Sequence, residues 1–162
     1  MIPFSEHISS PADEAVVGWR EWLSLPELGI NQVKAKVDTG ARTSALHAFD
    51  IEYFERSDHV LMVHFKVHPR QRDNLFTVEV IAPVFDKRDV RNSGGNTQQR
   101  PVIRTMASLG DQQWPIELTL TNRDVMGFRM LLGREAIRHR FFIDPGGSYL
   151  LSPSTPLSSS CH

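Results

Sequence analysis

Asn31-Gln32-Val33-Lys34-Ala35-Lys36-Val37-Asp38-Thr39-Gly40-Ala41 is the stretch that decides the fold. Up to Val37 it alternates, with Val33, Ala35 and Val37 on one side and Lys34 and Lys36 on the other, the period of a half-buried strand. Asp38-Thr39-Gly40 then interrupts the strand with a carboxylate, a hydroxyl and a glycine. Such a break holds an aspartate on a tight turn with backbone amides nearby. Gly40 lets a second backbone or a substrate approach with no Cβ in the way. The tripeptide is also ordinary turn chemistry, so it gains meaning only from what surrounds it.

Working outward, further β runs are predicted at 16–25, 44–54, 60–67, 75–84, 101–109 and 113–121. They are rich in Val, Ile, Phe and Thr and separated by short Gly, Asp, Asn or Pro breaks. One short helix is predicted after Gly133, over 134–139, ahead of a strand at 141–143. Many short strands with one late helix point to a small barrel or sandwich. Residues 1–15 read as a loose lead-in, 16–151 as the domain, and 152–162 as an unstructured Ser/Pro-rich tail. Residues 86–100 are polar and carry Gly94-Gly95, so they read as a long loop, either lid or plain disorder.

Composition narrows the function classes. A chain of 162 residues is long enough to bury a core without disulfides or structural metal. Its 18 basic and 19 acidic residues leave a net charge of -1, which argues against a dedicated nucleic-acid or membrane-surface binder. Cys161 is the one cysteine, so no intrachain disulfide forms and no oxidising compartment is required. The first residues lack the basic and apolar regions of a signal peptide, and no apolar stretch approaches a membrane span. A cytoplasmic protein is the expectation.

Met130-Leu131-Leu132-Gly133-Arg134 supplies the second half of a pattern: an apolar run, a glycine, then the short helix. Together with Asp38-Thr39-Gly40-Ala41 it resembles the retropepsins, whose Asp-Thr-Gly-Ala loop is backed by a late apolar-apolar-Gly segment leading into a helix. A closer likeness is to the bacterial RimB-like family, long labelled "ATP-dependent zinc protease" and associated with RimK-type ATP-grasp glutamate ligases. It is carried by Lys34 through Ser44, Arg88-Asp89-Val90-Arg91, Arg100-Pro101-Val102-Ile103 and Leu118 through Arg123, within a domain of about 16–151.

The resemblance implies a small closed acid-protease barrel with one short C-terminal helix. It implies Asp38 as the catalytic carboxylate, Thr39 locking the loop across a dimer, and Gly40 lining the floor. Leu131, Leu132 and Gly133 would pack beneath, and Arg134 would sit near the dimer contact. The chemistry needs two carboxylates sharing one proton. Asp111, Asp124 and Asp144 are not followed by Thr-Gly or Ser-Gly, so a dyad demands a symmetric homodimer.

Lys34, Lys36 and Arg42 are either a solvated surface or a cationic approach for an acidic peptide, and Arg91 with Arg88, Arg100 and Arg104 would extend it. The link to glutamate ligases makes glutamate-rich tails the substrate class implied and a ligase a partner. Trp19, Trp22 and Trp114 read as core or dimer packing. The zinc label finds no His-Glu-x-x-His or cysteine cluster, and His64 and His68, four apart on a strand, stand about 13 Å from each other. No phosphate-binding Gly-rich loop supports bound ATP, so no cofactor is expected. Ser44 and His47 have no third member for a triad. Three readings stand: an aspartic peptidase for acidic or glutamylated peptides, a silent module that binds such a protein or regulates a ligase, and a zinc metallopeptidase.

Overall fold

The alternating stretch forms a strand with Ile30, Val33 and Ala35 buried and Lys34 and Lys36 half-buried on the other face. The structure is a computed structural model and describes residues 15–70, 75–91, 94–122 and 127–152. In chain order the first half runs β1 (Ala15–Val17), β2 (Arg20–Leu25), a 3₁₀ turn (Pro26–Leu28), β3 (Ile30–Asp38), β4 (Ser44–His47), β5 (Phe49–Glu55) and β6 (Leu61–Val67). The second half runs β7 (Val78–Pro83), β8 (Asp86–Arg91), β9 (Thr97–Leu109), β10 (Gln112–Thr121), β11 (Met130–Gly133), α1 (Arg134–Ile137) and β12 (Phe141–Ile143). The protein is mostly β, as the sequence indicates.

Six strands pair in the order β10–β4–β11–β3–β2–β9, and β9 pairs again with β10, so the sheet returns on itself. The narrowest join is between β2 and β9, through Ser24 and Ser108. Strand β8 adds to the free side of β9. Inside the ring lie Leu25, Ile30, Leu46, Ile103, Leu118, Leu120, Met130 and Leu132, all shielded from water. A separate antiparallel sheet, β5–β6–β7, closes over the same core with Val63, Phe65, Val67 and Val80. A small parallel pair, β1 with β12, joins the two ends of the domain. Among the described residues no helix is long and apolar enough to cross a membrane.

Several expected elements differ in ways that have physical causes. The run at 16–25 is two strands because Gly18 lies against residue 147: a Cβ there would sit 2.3 Å from the Gly147 carbonyl oxygen. The run at 44–54 is also two strands. The Ala48 amide, between them, donates to Thr121 O, and the chain then passes to the second sheet. The helix stops at Ile137 because His139 adopts φ 67°, left-handed backbone that cannot continue it. Most important, 86–100 is not a long loop but a β-hairpin, with Asp86 opposite Val102 and Arg91 opposite Thr97. Its residues are mainly exposed, so no apolar period marks it in the sequence.

At the two ends of the described domain Ala15 pairs with Phe141, and Ser152 is held by Glu21. The remainder of the expected lead-in and tail lies outside the described residues. Trp22 and Trp114 are buried in packing, and Trp19 meets Phe128 edge-on at 5.9 Å.

Candidate active site

Asp38 is the last residue of β3 and is half-buried, while Thr39 and Gly40 are exposed. The turn is closed by the Ala41 amide, which donates to Asp38 O at 3.1 Å. The Gly40 amide donates to Asp38 Oδ1 at 3.0 Å, which fixes the carboxylate's orientation. A Cβ at position 40 would lie 3.2 Å from that same oxygen, so glycine keeps the face of the carboxylate open.

The loop is built from two distant parts of the chain. Strand β11 runs parallel to β3, with Leu131 opposite Lys36, Leu132 opposite Val37 and Gly133 opposite Asp38. Leu132 is fully buried and anchors this register in the core. The Gly133 amide donates to the buried Ser44 Oγ at 3.0 Å. A Cβ on Gly133 would come within 2.7 Å of Thr43 C and 2.9 Å of Arg42 O, so only glycine lets the two segments touch. Beyond it, the Arg134 amide donates to Ala41 O at 2.9 Å and the Glu135 amide to Arg42 O at 3.1 Å. Arg134 Nη1 reaches Thr39 O at 3.4 Å and Gly40 O at 3.3 Å. The carbonyls of Thr39, Gly40, Ala41 and Arg42 are thus each met by a donor from Arg134 or Glu135. This holds the Asp38–Arg42 loop by backbone geometry rather than by side-chain packing alone.

The expected cationic residues fall in different settings. By the alternation of β3, Lys34 and Lys36 share a face with Asp38. The Lys34 ammonium lies over the rings of Phe128 at 5.2 Å and Trp22 at 5.8 Å. Arg42 is exposed just past the turn, and Arg91 is exposed at the far end of β8. Arg88 ties the hairpin to the site: it donates to Thr43 Oγ1 at 3.3 Å, Glu117 Oε1 at 2.7 Å and Asp86 Oδ2 at 2.9 Å. The hydrogen bond to Glu117 raises the Arg88 pKa above its ordinary value, with Asp86 adding to the effect. In return the Arg88 hydrogen bond holds the Asp86 carboxyl below the usual range, helped by the Lys87 amide.

No group of three or more His, Cys, Asp or Glu among the described residues could hold a metal ion. His64 contacts Glu79 at 3.4 Å, and His68 lies beside Thr77 and stacks on Phe49. Ser44 Oγ receives the Gly133 amide and His47 Nε2 lies 3.2 Å from Asn122 O, so neither is arranged as a nucleophile and its base.

Sequence reasoning passed over Glu117 and Glu21, and weighed Ser44 only as a nucleophile. Ser44 is a brace for Gly133, Glu117 is the anchor of Arg88, and Glu21 is a fully buried carboxylate on the inner face of β2. Only Ser44 left a local signal, as a small polar residue opening an apolar strand close behind the Asp-Thr-Gly turn.

An aspartate on a strand-end turn, backed in register by a Leu-Leu-Gly segment that enters a helix, is the arrangement the two motifs imply. Residues 16–153 match the family described as "Retropepsin-like aspartic endopeptidase RimB". The chain belongs to the RimB-like family. It is 53% identical over 136 residues to a "Probable alpha-L-glutamate ligase" of Parasynechococcus marenigrum, covering 84% of this chain and 29% of that protein. A protein of the same name from Desulfotalea psychrophila is 51% identical over 138 residues, covering 85% and 30%. The chain therefore spans under a third of the length of these relatives. Among solved structures it resembles a Legionella pneumophila protein of unknown function, with a TM-score of 0.66 and 28% identity over 83% of this chain and 96% of that one.

Proposed function

We propose that this RimB-like domain is an aspartic peptidase acting on acidic or glutamylated peptides, with the Asp38 carboxylates of two chains forming the reactive pair. The observation that carries the reading is the Asp38 turn itself, oriented by the Gly40 amide and braced from behind by Gly133 and Arg134. Two like charges about 3 Å apart cannot both ionise cheaply, so the pair would share one proton. The ionised carboxylate takes a proton from water while the protonated one donates to the scissile carbonyl oxygen. Water oxygen bonds to the carbonyl carbon, giving a tetrahedral intermediate. Its collapse breaks the C–N bond as a carboxyl group returns a proton to the leaving amine. Thr39 and Arg134, at the exposed loop, would meet their counterparts near the twofold axis.

Lys36 and Arg42 flank the Asp38 turn and support an acidic substrate, and Lys34 on the same strand and the exposed Arg91 would extend that approach. The test is incubation with oligoglutamate and Glu-tailed peptides, read by mass spectrometry. Cleavage should be present with the native chain, absent with Asp38→Asn, and unchanged by chelator. Loss of activity to chelator with Asp38→Asn tolerated would instead establish the metallopeptidase reading.

A second reading is favoured by one observation: relatives named glutamate ligases contain this domain within a chain about three times as long. In that reading the domain binds a glutamylated protein or regulates an ATP-grasp ligase partner without cutting. Binding of Glu-tailed peptides with no cleavage under any condition would support it.

A further inference from the structure

The chain leaving the Asp38 turn forms one wall of a cleft of about 400 Å³. Arg42 and Thr43 stand on that wall, Arg104 and Ile116 come from β9 and β10, and Glu135 and Ala136 come from α1. Its volume lies in the range of sites that hold small ligands. Its charges are unevenly matched. Glu117 is held by Arg88 at 2.7 Å and touched by Arg104 at 3.8 Å, and Glu135 pairs with Arg138 at 3.5 Å. The Arg42 side chain makes no ion pair or hydrogen bond among the described residues. Arg104 lies with its guanidinium 4.0 Å over the Phe85 ring, which fixes it in place and leaves donors directed elsewhere. Thr43 Oγ1 accepts from Arg88 and so keeps its own proton to donate.

Between these polar groups lies a narrow apolar strip, the exposed Pro115 with the small remaining surface of Ile116 and Ala136. A ligand that suits both features has a short aliphatic stem ending in an anion. We propose that the cleft is a specificity pocket for the side chain of a glutamate residue flanking the bond presented to Asp38. The methylenes would rest on Pro115 and Ile116, and the carboxylate would be taken by Arg42, Arg104 and the Thr43 hydroxyl. This adds Thr43 and the apolar strip to the residues already considered and gives Arg104 a defined place, and it predicts a preference for glutamate over aspartate. The shorter side chain would leave the strip uncovered or the carboxylate short of the guanidiniums. The location rests on the peptidase reading, but the binding does not.

The experiment uses the whole chain carrying Asp38→Asn, titrated with tetraglutamate, tetra-aspartate and tetraglutamine by calorimetry and by amide NMR. Tetraglutamate should perturb the amides of Thr43, Ile116 and Ala136 and bind about tenfold tighter than tetra-aspartate, the usual discrimination for one methylene. Arg42→Gln and Arg104→Gln should each weaken tetraglutamate at least about tenfold, the loss expected for a charge-assisted hydrogen bond, and leave tetraglutamine unaffected. Arg56→Gln, which removes one positive charge at the β5–β6 turn, should have no effect beyond screening. Perturbations confined to other amides, or affinity unchanged in both cleft variants, would overturn the pocket. If Asp38→Asn still cleaves while both cleft variants weaken tetraglutamate, the aspartic mechanism fails and the pocket stands. If cleavage depends on Asp38 but neither cleft variant affects binding, only the pocket fails.

Discussion

Replacing Glu21 by glutamine keeps the size of the side chain and removes one acceptor oxygen from a place where four donors converge. Glu21 has no exposed surface and receives the Gly18 amide at 2.8 Å, the Leu150 amide at 2.8 Å, the Leu151 amide at 3.1 Å and the Ser152 hydroxyl at 2.6 Å. In the glutamine variant an NH₂ group must face at least one of these donors, and no rotation of the amide avoids it. A buried donor left without its acceptor costs about 1–3 kcal/mol. The glutamine oxygen can stay on the side that receives the Gly18 and Leu150 amides, so its NH₂ faces the Leu151 amide and the Ser152 hydroxyl, and that hydroxyl can turn to accept from it. The expected loss is about 1–3 kcal/mol for Glu21→Gln and about 3–5 kcal/mol for Glu21→Ala, which leaves every donor unmet and also a void. At this chain length each kcal/mol lowers Tm by about 2–4 °C. Urea denaturation measures the loss, and hydrogen exchange locates it. Leu150 and Leu151 amides should lose protection well before the amides of β3 and β11. A change below about 1 kcal/mol, with protection at Leu150 and Leu151 intact, would refute the view that this carboxylate pins the chain end.

Gly133→Ala should destabilise the fold by about 1–3 kcal/mol, as overpacking does, and lower kcat far more than that loss of folded protein explains. The added methyl meets backbone at Thr43 and Arg42, which must move together with the Asp38 turn; equal losses of kcat and folded fraction would count against the brace. Arg88→Gln should raise the Asp86 pKa toward the ordinary carboxylate range, seen by NMR titration. Because Asp86 is depressed in the folded state, its contribution is present above the unfolded carboxylate pKa and fades as pH falls through the folded value. The hairpin of the native protein should therefore loosen only at acid pH, and in Arg88→Gln that pH dependence should vanish. Lys36→Glu should raise KM for Glu-tailed peptides with little effect on kcat, and the difference should shrink as salt screens charges over about 10 Å at 0.1 M. Identical KM values at low salt would exclude Lys36 from substrate approach.

How much of this was legible depends on where each residue finds its partners. Strand β3 reads directly, because one face meets the core and Val33 and Ala35 carry that face in a period of two. Gly133 and Arg134 read through their position after Leu131-Leu132, since the apolar run, the glycine and the helix start are all local. Strand β8 and the first residues of β9, 97–100, did not read as strands. Their alternate residues are exposed on both sides and are held by Arg88, Asp86 and Glu117 rather than by burial. The breaks at Gly18 and Ala48 come from contacts with Gly147 and Thr121, which no local window contains. Glu21 is the extreme case: a charged residue beside Trp22 and Leu23 looks like a surface position. The partners that make it an interior one lie 129 to 131 residues away.

The parallel join between β3 and β11 also sets an order of events. Arg134 and the Thr39 carbonyl it meets are 95 residues apart, so the loop between them must close before either side is rewarded. Pairings of that span slow folding, because chain entropy is lost ahead of the contacts that offset it. A nascent chain can form β3 and the Asp38 turn early, yet its carbonyls stay unmet until Gly133 and Arg134 have been synthesised and have threaded between β3 and β4. The Asp38 turn is thus made some 95 residues before the segment that braces it, and it waits on that distant partner for its backbone hydrogen bonds.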